Sequence, residues 1–402
     1  MSGPSSIERT GSGAAATVGW GLFCAASWTW CIGMFFPLLL LRDFGWPGLV
    51  AFLVPNVLGC AGFGYVLDRA SAARERRRHG MACVAFSMVT LAYQAFFLSA
   101  VFGTMASMSG AAPSIPPSWI AGGSAIVIAL LVSGLGDRWW PWLATLAVGY
   151  SLSLWFRLDA AAVASLPASG ERPAGDLVAT IPMLAFGFLL CPYLDLTFHR
   201  ALDRSPSRHA FAVFGVSFLA VILLGAAYFG GERLLLPAVL GHFAIQACFT
   251  MAAHVREIRT AAWPAGRGLR QVVILGPALV GIGLGSAADT ILPFETIYLL
   301  FLGCYGVAFP GYVWLRMDLS GTGDRPLDRL LNAVRSLPQA ARGIPWAFLA
   351  ALAVATPPAV AAVLGGPRWL LAVPVGIFLV AGLIGPRSAR PAGDPAAEVG
   401  KN

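Results

Sequence analysis

Residues 26–37 read ASWTWCIGMFFP and lie in the middle of an apolar run that begins near residue 18. The run is close to the ~20 residues that cross a hydrocarbon core of ~30 Å as a helix. Within it, Pro37 lacks a backbone N–H and crowds the carbonyl of Gly33, which has no side chain to resist a bend. The stretch therefore predicts a transmembrane helix that is broken at mid-depth, near Gly33.

Eleven further segments of similar length and hydropathy follow along the chain. Only 11% of the residues are charged and the mean hydropathy is +0.74, which is typical of membrane proteins rather than soluble ones. The sequence predicts an all-α polytopic membrane protein with about 12 transmembrane helices. In order, the predicted spans are residues 18–41, 47–67, 80–107, 118–136, 139–157, 177–197, 209–229, 234–254, 270–288, 296–315, 345–365 and 368–386.

Positive charge falls on alternate sides of these spans. Of the 27 Lys and Arg residues, 22 lie in the N-terminal tail and in every second gap after it, and 5 lie in the other gaps. The positive-inside rule then predicts a plasma membrane protein (the inner membrane in a bacterium) with both termini in the cytoplasm. The net charge of +8 follows from this topology and needs no nucleic-acid partner. A nucleic-acid or lipid head-group patch at residues 74–78 is the alternative.

The order of segments predicts two five-helix repeats. The repeats are residues 18–158 and 177–316, and a cytoplasmic tail, residues 1–17, precedes them. After them come a cytoplasmic loop at residues 317–344, two apolar helices at residues 345–386 and a second cytoplasmic tail at residues 387–402. The loop is expected to hold a short amphipathic helix near residues 327–337. Because five is an odd number, the second repeat would start on the opposite side of the membrane and be inverted.

Span six, the counterpart of span one, is also interrupted. Residues 186–195 read FGFLLCPYLD, with Gly187 followed by Pro192. Broken helices in corresponding spans of two halves indicate the midplane substrate site of a transporter. The alternative is two ordinary kinks, because Gly and Pro are common in membrane helices.

Neutral polar and aromatic residues near the breaks are the candidates for solute binding. His242 and Gln246 share one face of span eight with Thr250, and a His at mid-depth in a membrane is a functional hypothesis by default. A buried, neutral, hydrogen-bonded His is the alternative, as is interhelical hydrogen bonding for Asn56. The predicted solute-binding residues are Trp28, Trp30, Gly33, Asn56, Gln94, Phe186, Gly187, His242 and Gln246.

Three residues are candidates for ion coupling: Cys31, Asp195 and Thr250. Asp195 is the only carboxylate clearly inside a predicted span. It is expected either to hold an ion or solute below the break, or to form an i,i+4 pair with His199 at the interface.

The two breaks, within a five-plus-five arrangement followed by two helices, resemble the leucine-transporter fold. That fold serves the amino acid–polyamine–organocation superfamily, including sodium:solute symporters. The resemblance covers residues 18–316 and implies a secondary active transporter that works by alternating access. It also implies a sodium ion between the broken part of span one and hydroxyls on span eight. Thr250 is the single hydroxyl available there, so sodium and protons both stay open as coupling ions.

A second resemblance is carried by residues 64–69, GYVLDR, which follow span two. Major facilitator transporters carry Gly-x-x-x-Asp-Arg-x-Gly-Arg-Arg at this place and have twelve spans. The chain departs from that motif after Arg69 and has a short central loop, so this is the alternative.

Enzyme motifs are missing from the sequence. There is no Gly-x-Ser-x-Gly, His-Glu-x-x-His or phosphate-binding loop, and no cofactor or metal is expected beyond a coupling Na⁺ or H⁺. We expect a non-enzyme whose partners are a small polar solute and the lipid bilayer. A lipid-modifying membrane enzyme and a non-transporting sensor are further alternatives.

Overall fold

A computed structural model describes residues 13–108, 114–158, 166–227, 236–317, 319 and 345–384. Helices are the only regular secondary structure in these ranges, and each predicted span is helical. The first six spans comprise Gly13–Trp28 with Cys31–Phe44, Trp46–Val66, Gly80–Met108, Pro117–Val132, Trp140–Ser153, and Ala174–Leu190 with Leu196–Arg204. The other six comprise Ala210–Ala227, Leu236–Thr260, Arg267–Ser286, Phe294–Gly303 with Phe309–Arg316, Pro345–Val363, and Ala372–Ile384.

Eight helical segments in the described ranges are long and apolar enough to cross a membrane individually. The two helices of span one pass the same test as a pair that is bent by 61°. Spans four and five also pass together, with a 120° turn between them that folds the second helix back toward the start of the first. By length and composition the described ranges therefore hold eight to ten membrane-spanning segments, and a shorter apolar helix, Arg368–Leu383, lies at the twelfth predicted span.

The packing of the first ten spans has the symmetry of two five-helix repeats. Span one packs on span five, and the equivalent pair in the second repeat, spans six and ten, also packs together. Likewise, span two packs on span six, and span seven packs on span one. Span three packs on spans four and nine, and the equivalent contacts of span eight with spans nine and four are also made. Spans that lie five positions apart in the chain therefore make equivalent contacts, as expected for two five-helix repeats. In the major facilitator alternative, the equivalent spans would lie six positions apart.

Spans one and six run antiparallel to each other. Where span six begins, the Glu171 and Arg172 amides donate to the carbonyls of Arg42 and Asp43 at the end of span one, at 3.0 and 2.8 Å. Where span six ends, the guanidinium of Arg200 lies over the ring of Trp20 near the start of span one. The two repeats are therefore inverted relative to each other.

Ion pairs sort the connecting loops into the same two sets as the charge pattern. Arg42, Asp43, Arg172 and Glu295 pair at one end of the bundle, which we call the Arg42 end. At the other, the Arg200 end, the pairs are made by Arg76, Asp137, Arg200, Asp203, Arg204, Arg256 and Glu257. That the Arg200 end faces the cytoplasm stays a prediction from the charge count.

Spans eleven and twelve form a layer with their own apolar cluster. Their buried residues pack with Met183 and Phe186 of span six and with Val307 and Leu315 of span ten. Both helices also carry exposed apolar side chains, as expected for lipid contact. The helix predicted near residues 327–337, residues 1–12 of the first tail and the C-terminal tail lie outside the described residues.

Candidate functional site

Span one is interrupted at Thr29 and Trp30, between helices that end at Trp28 and begin at Cys31. Trp30 has extended backbone angles, and its amide donates to the carbonyl of Trp28 at 2.8 Å instead of continuing the helical ladder. The break therefore precedes Gly33 by about one turn, close to the position that the sequence predicts. Pro37 is accommodated inside the second helix.

The carbonyl groups around this break are bonded by side chains from elsewhere in the fold. The Thr250 hydroxyl donates to the Ala26 carbonyl at 3.2 Å, and the Tyr298 hydroxyl donates to the Cys31 carbonyl at 3.0 Å. The Trp30 indole N–H donates to the Ser27 carbonyl at 2.6 Å. Because a bare carbonyl in hydrocarbon costs several kcal/mol, these bonds allow the helix to stay open at mid-depth.

Span six is interrupted after the 3₁₀ turn Cys191–Tyr193. Its second helix starts at Leu196 and is capped by Asp195, whose carboxylate accepts from the Thr197 amide at 2.7 Å. The predicted i,i+4 pair of Asp195 with His199 is not formed, since His199 Nε2 lies 2.9 Å from the Tyr193 carbonyl. A short polar side chain at an N-cap satisfies an orphan amide, which explains the carboxylate at this depth.

In span six the break lies at and just after Pro192, as predicted, and away from Gly187. Gly187 is inside the first helix, where a Cβ would meet the Tyr305 carbonyl at 2.6 Å, so this glycine permits close packing with span ten. Since Gly33 follows its break and Gly187 precedes its own, the two glycines are not equivalent positions of the two repeats.

The two breaks face each other. The Ser27 hydroxyl donates to the Thr197 hydroxyl at 3.0 Å, joining the last turn before one break to the first turn after the other. The rings of Trp28 and Phe198 meet edge to face, with centroids 5.0 Å apart. Trp28 in turn donates its indole N–H to the Asn56 side chain at 2.9 Å. Polar and aromatic groups of spans one, two and six therefore converge at one place.

Span three forms the opposite wall through Ser87, Thr90 and Gln94, which recur on one helix face. Ser87 Oγ lies 3.0 Å from His254 Nδ1 of span eight, and Thr90 Oγ1 lies 2.9 Å from the Tyr305 hydroxyl of span ten. Gln94 lies one turn beyond Thr90 on this face of span three.

The Trp30 ring lies at the centre of this arrangement. Its centroid is 4.4 Å from Trp28, 4.9 Å from Tyr305, 5.3 Å from Phe86 and 6.0 Å from His254. We call these residues, with Ser27, Asn56, Ser87, Thr90, Gln94, Asp195, Thr197, Phe198, Thr250 and Tyr298, the central cluster. All of them are buried.

Three members of the central cluster have polar atoms without a hydrogen-bond partner among the described residues. These atoms are both amide atoms of Gln94, Nε2 of His254 and Oδ2 of Asp195. Buried polar groups are nearly always bonded in folded proteins, so such atoms mark places where an additional polar group would be stabilised.

Several predicted site residues lie elsewhere. His242 Nδ1 is 2.8 Å from the Ser151 hydroxyl, and Gln246 donates to the same hydroxyl at 2.7 Å, so both bind span five. Phe186 packs on Trp314 and Phe378 beside spans ten and twelve. The structure brings together Trp28, Trp30, Asn56, Gln94, Asp195 and Thr250 and keeps Phe186, Gly187, His242 and Gln246 apart from them.

The sequence interpretation missed His254, Tyr298 and Tyr305. A signal for His254 was present, because it continues the four-residue series of His242, Gln246 and Thr250 along span eight. The series divides between two faces, since its first members meet span five and its last members meet spans one and three. The tyrosines have no such signal in the sequence, because span ten is apolar and aromatic throughout.

Both ends of the central cluster are covered by charged networks. At the Arg42 end, Arg42 of span one makes a two-pronged bond to Glu295 of span ten, at 2.7 and 2.8 Å. At the Arg200 end, Arg200 of span six bonds Glu257 of span eight at 2.9 Å and also bonds Asp137 in the turn between spans four and five. Each network therefore joins a broken span to another helix, span ten at the Arg42 end and span eight at the Arg200 end.

Asp137 holds the network at the Arg200 end together. Its carboxylate also pairs with Arg204 at 2.7 Å and Arg256 at 2.5 Å. Partial burial raises the pKa of Asp137, but the guanidinium groups of Arg200, Arg204 and Arg256 outweigh it and hold the pKa below its ordinary value. Asp137 is therefore charged at neutral pH and binds three cations at once.

No group of three His, Cys, Asp or Glu side chains in the described ranges is arranged to hold a metal ion. The residues near the breaks offer instead neutral hydroxyl, amide, imidazole and indole groups and the one carboxylate of Asp195. An arrangement of this kind is suited to hydrogen bonding and stacking with a small molecule.

These features define a polytopic helical membrane protein of two inverted five-helix repeats, each beginning with a broken helix. No protein-family model matches the chain, and no curated protein matches it. Among solved structures, it is similar to one titled "Inward facing conformation of Mhp1". The sequences are 15% identical, the match covers 95% of this chain and 94% of that chain, and the TM-score is 0.49.

Proposed function

We propose that this protein is a secondary active transporter that moves a small polar solute by alternating access. The observation that carries the proposal is the meeting of two helix breaks at mid-membrane, joined by Ser27 and Thr197. Open backbone and buried polar side chains at membrane depth are costly and are found where they line a solute or ion path. The inverted repeats add the symmetry that such a path needs to open alternately to two sides.

The charged networks are proposed to be the two gates. Both are formed in this conformation, and the central cluster between them is buried, which corresponds to an occluded state. Opening toward either side requires the pairs at that end to separate. Span one takes part in the network at the Arg42 end and span six in the network at the Arg200 end. A movement of one of these spans would therefore break one network while it preserves the other.

The solute is proposed to be neutral or zwitterionic, with a flat face and both donor and acceptor groups. The amide of Gln94 supplies a donor nitrogen and an acceptor oxygen, and His254 Nε2 supplies one further hydrogen-bonding atom. The rings of Trp28, Trp30 and Phe86 offer stacking surfaces around the same place. A strongly charged solute would lack a partner there, apart from Asp195.

Sodium and protons are both retained as coupling ions. In favour of sodium, the Ala26 carbonyl and the Thr250 hydroxyl lie together between spans one and eight. In favour of protons, Asp195 and His254 are titratable groups buried at the centre. Cys31 contributes through its carbonyl, which accepts from Tyr298.

Uptake into proteoliposomes tests the proposal. Purified protein would be reconstituted and supplied with labelled amino acids, nucleobases and other small neutral heterocycles under an inward Na⁺ gradient or an inward pH gradient. We expect at least one solute to accumulate under one gradient and not without it. Uptake should be lost in Gln94→Leu and retained in the matched variant Gln246→Leu, because the Gln246 side chain bonds span five and lies outside the central cluster. Absence of uptake across the panel under both gradients would contradict the proposal.

A further inference from the structure

A groove runs between the ten-helix core and the layer of spans eleven and twelve. It has a volume of about 180 Å³ and is lined by apolar side chains that include Leu39, Met183, Leu302, Val307, Ala359 and Leu371. Thr356, another lining residue, is exposed, so the groove opens at the protein surface. That surface belongs to the layer whose apolar residues face lipid.

We propose that this groove holds one acyl chain of a phospholipid, with the lipid phosphate at Arg368. The inference concerns a site outside the central cluster and does not rest on the proposed transport function. A cavity of about 150 Å³ holds a benzene molecule, so this groove accommodates several methylenes of a chain whose remainder follows the lipid-facing surface.

Charge at the mouth of the groove favours a phosphate group. Asp43 and Glu295 line the same end, but Asp43 is paired with Arg42 and Arg172, and Glu295 with Arg42. Arg368 also lines the groove and has no carboxylate within ion-pair distance among the described residues. One positive charge therefore remains beside an apolar slot, which is the pattern that a phospholipid complements.

The depth of the mouth fits a lipid head group. Trp369 follows Arg368 at the start of span twelve and is 60% exposed, and Trp346 at the opposite end of the layer is 65% exposed. Exposed Trp residues at both ends of a helical layer are typical of the two membrane interfaces. Arg368 would then lie at the level of the phosphate groups, with the groove extending from it into the hydrocarbon region.

The core wall of the groove includes part of a π-helical segment of span ten, Cys304–Ala308. This segment carries Tyr305, whose ring faces inward to Trp30 and Thr90. Short π-helical segments are frequent at functional sites. A chain in the groove would therefore rest against the same turn of span ten that contributes to the central cluster.

Gly303 offers a direct test, because it lines the groove and a Cβ added there meets nothing within 4 Å. Gly283 of span nine has the same open surroundings on another face and serves as the matched control. Delipidated protein in detergent would be titrated by native mass spectrometry with palmitoyl-oleoyl-phosphatidylglycerol or with the diacylglycerol of the same chains. We expect one phosphatidylglycerol per protein at the tightest site.

Gly303→Phe should weaken that binding by about tenfold or more, because excluding two methylenes already corresponds to roughly that factor. Gly283→Phe should bind like the wild type. Arg368→Gln should weaken phosphatidylglycerol but not diacylglycerol. Should Gly303→Phe fail to fold, Thr356→Trp would obstruct the groove from its exposed lip with the same expected loss. Phosphatidylglycerol binding that is unchanged in Gly303→Phe or Thr356→Trp would overturn the proposal. So would binding of phosphatidylglycerol to the wild type that is no tighter than the binding of detergent.

Discussion

Ser27 and Thr197 share a hydrogen bond of 3.0 Å although 170 positions separate them in the chain. Each residue lies within one turn of a helix break, so the bond fixes the two breaks side by side. Interhelical hydrogen bonds in membranes average about 0.6 kcal/mol and reach about 1.7. Thr197→Val should therefore lower the free energy of unfolding by roughly that amount. It should also change solute affinity, because the breaks are no longer held together.

Thr180→Val is the matched control for that change. Its hydroxyl lies in the same span and bonds the Asp176 carbonyl within its own helix. Thermal unfolding and solute binding would be measured for both variants. If Thr197→Val and Thr180→Val changed solute affinity equally, the Ser27–Thr197 bond would have no special place in the site.

A second prediction concerns Trp28 and Asn56. Asn56→Leu leaves the buried Trp28 indole N–H without its partner, which costs about 1–3 kcal/mol. Trp28→Phe removes the donor itself, and the double variant should therefore be less destabilised than the sum of the two single ones. Equilibrium unfolding of the four proteins gives the coupling energy. Strict additivity would show that the two side chains do not act as a pair.

The position of the breaks illustrates what the sequence could predict and what it could not. Spans one and six were identified as broken from Gly33, Pro37, Gly187 and Pro192, and both are broken. The breaks lie at Thr29–Trp30, about one turn before Gly33, and at residues 194–195, just after Pro192 and away from Gly187. At the break in span one, the Thr250 and Tyr298 hydroxyls of spans eight and ten bond the carbonyls of Ala26 and Cys31. A single sequence does not show which distant side chains will reach a given carbonyl.

Span eight shows the same limit at the level of the site. The four-residue spacing of its polar residues predicts one face toward the solute. An α-helix has 3.6 residues per turn, so residues at strict four-residue intervals shift progressively from one face of the helix to the next. His242 and Gln246 consequently meet span five, while Thr250 and His254 meet spans one and three. Span number, the two-repeat organisation and the pairing of loops by charge depend on longer patterns and were predictable.

The Arg200 end gives a prediction of pH dependence. The pKa of Asp137 is held below its ordinary value in the folded protein, so its ion pairs contribute stability that is fully present above the pKa of the unfolded chain, about 4. That stability is lost as the pH falls through the lower pKa of the folded state. The melting temperature of Asp137→Asn should be lower than that of the wild type at pH 7.

The difference between the two proteins should shrink as the pH falls below about 4. Asp289→Asn is a suitable control, because Asp289 bonds the Phe294 amide and forms no ion pair in the described ranges. A difference between Asp137→Asn and the wild type that stayed constant from pH 7 to pH 3 would mean that the charge of Asp137 does not stabilise the fold.

Two substitutions separate sodium from proton coupling. Thr250→Val removes the span-eight hydroxyl that bonds the Ala26 carbonyl, and Asp195→Asn removes the buried carboxylate while an oxygen remains to cap Thr197. Under sodium coupling, Thr250→Val should raise the Na⁺ concentration needed for half-maximal uptake, with little effect of pH. Under proton coupling, Asp195→Asn should flatten the pH profile of uptake. If neither variant altered either profile, both residues would be excluded from coupling.

Accessibility of position 94 tests alternating access most directly. Gln94→Cys would be introduced into a cysteine-free protein, reconstituted in one orientation and exposed to a membrane-impermeant thiol reagent from either side. Glu295→Gln should increase labelling from the Arg42 end, because it removes the pair with Arg42. Asp137→Asn should increase labelling from the Arg200 end, where three arginines lose their common partner. Labelling from one side alone in both backgrounds, or from neither, would contradict a central site that opens alternately to the two sides of the membrane.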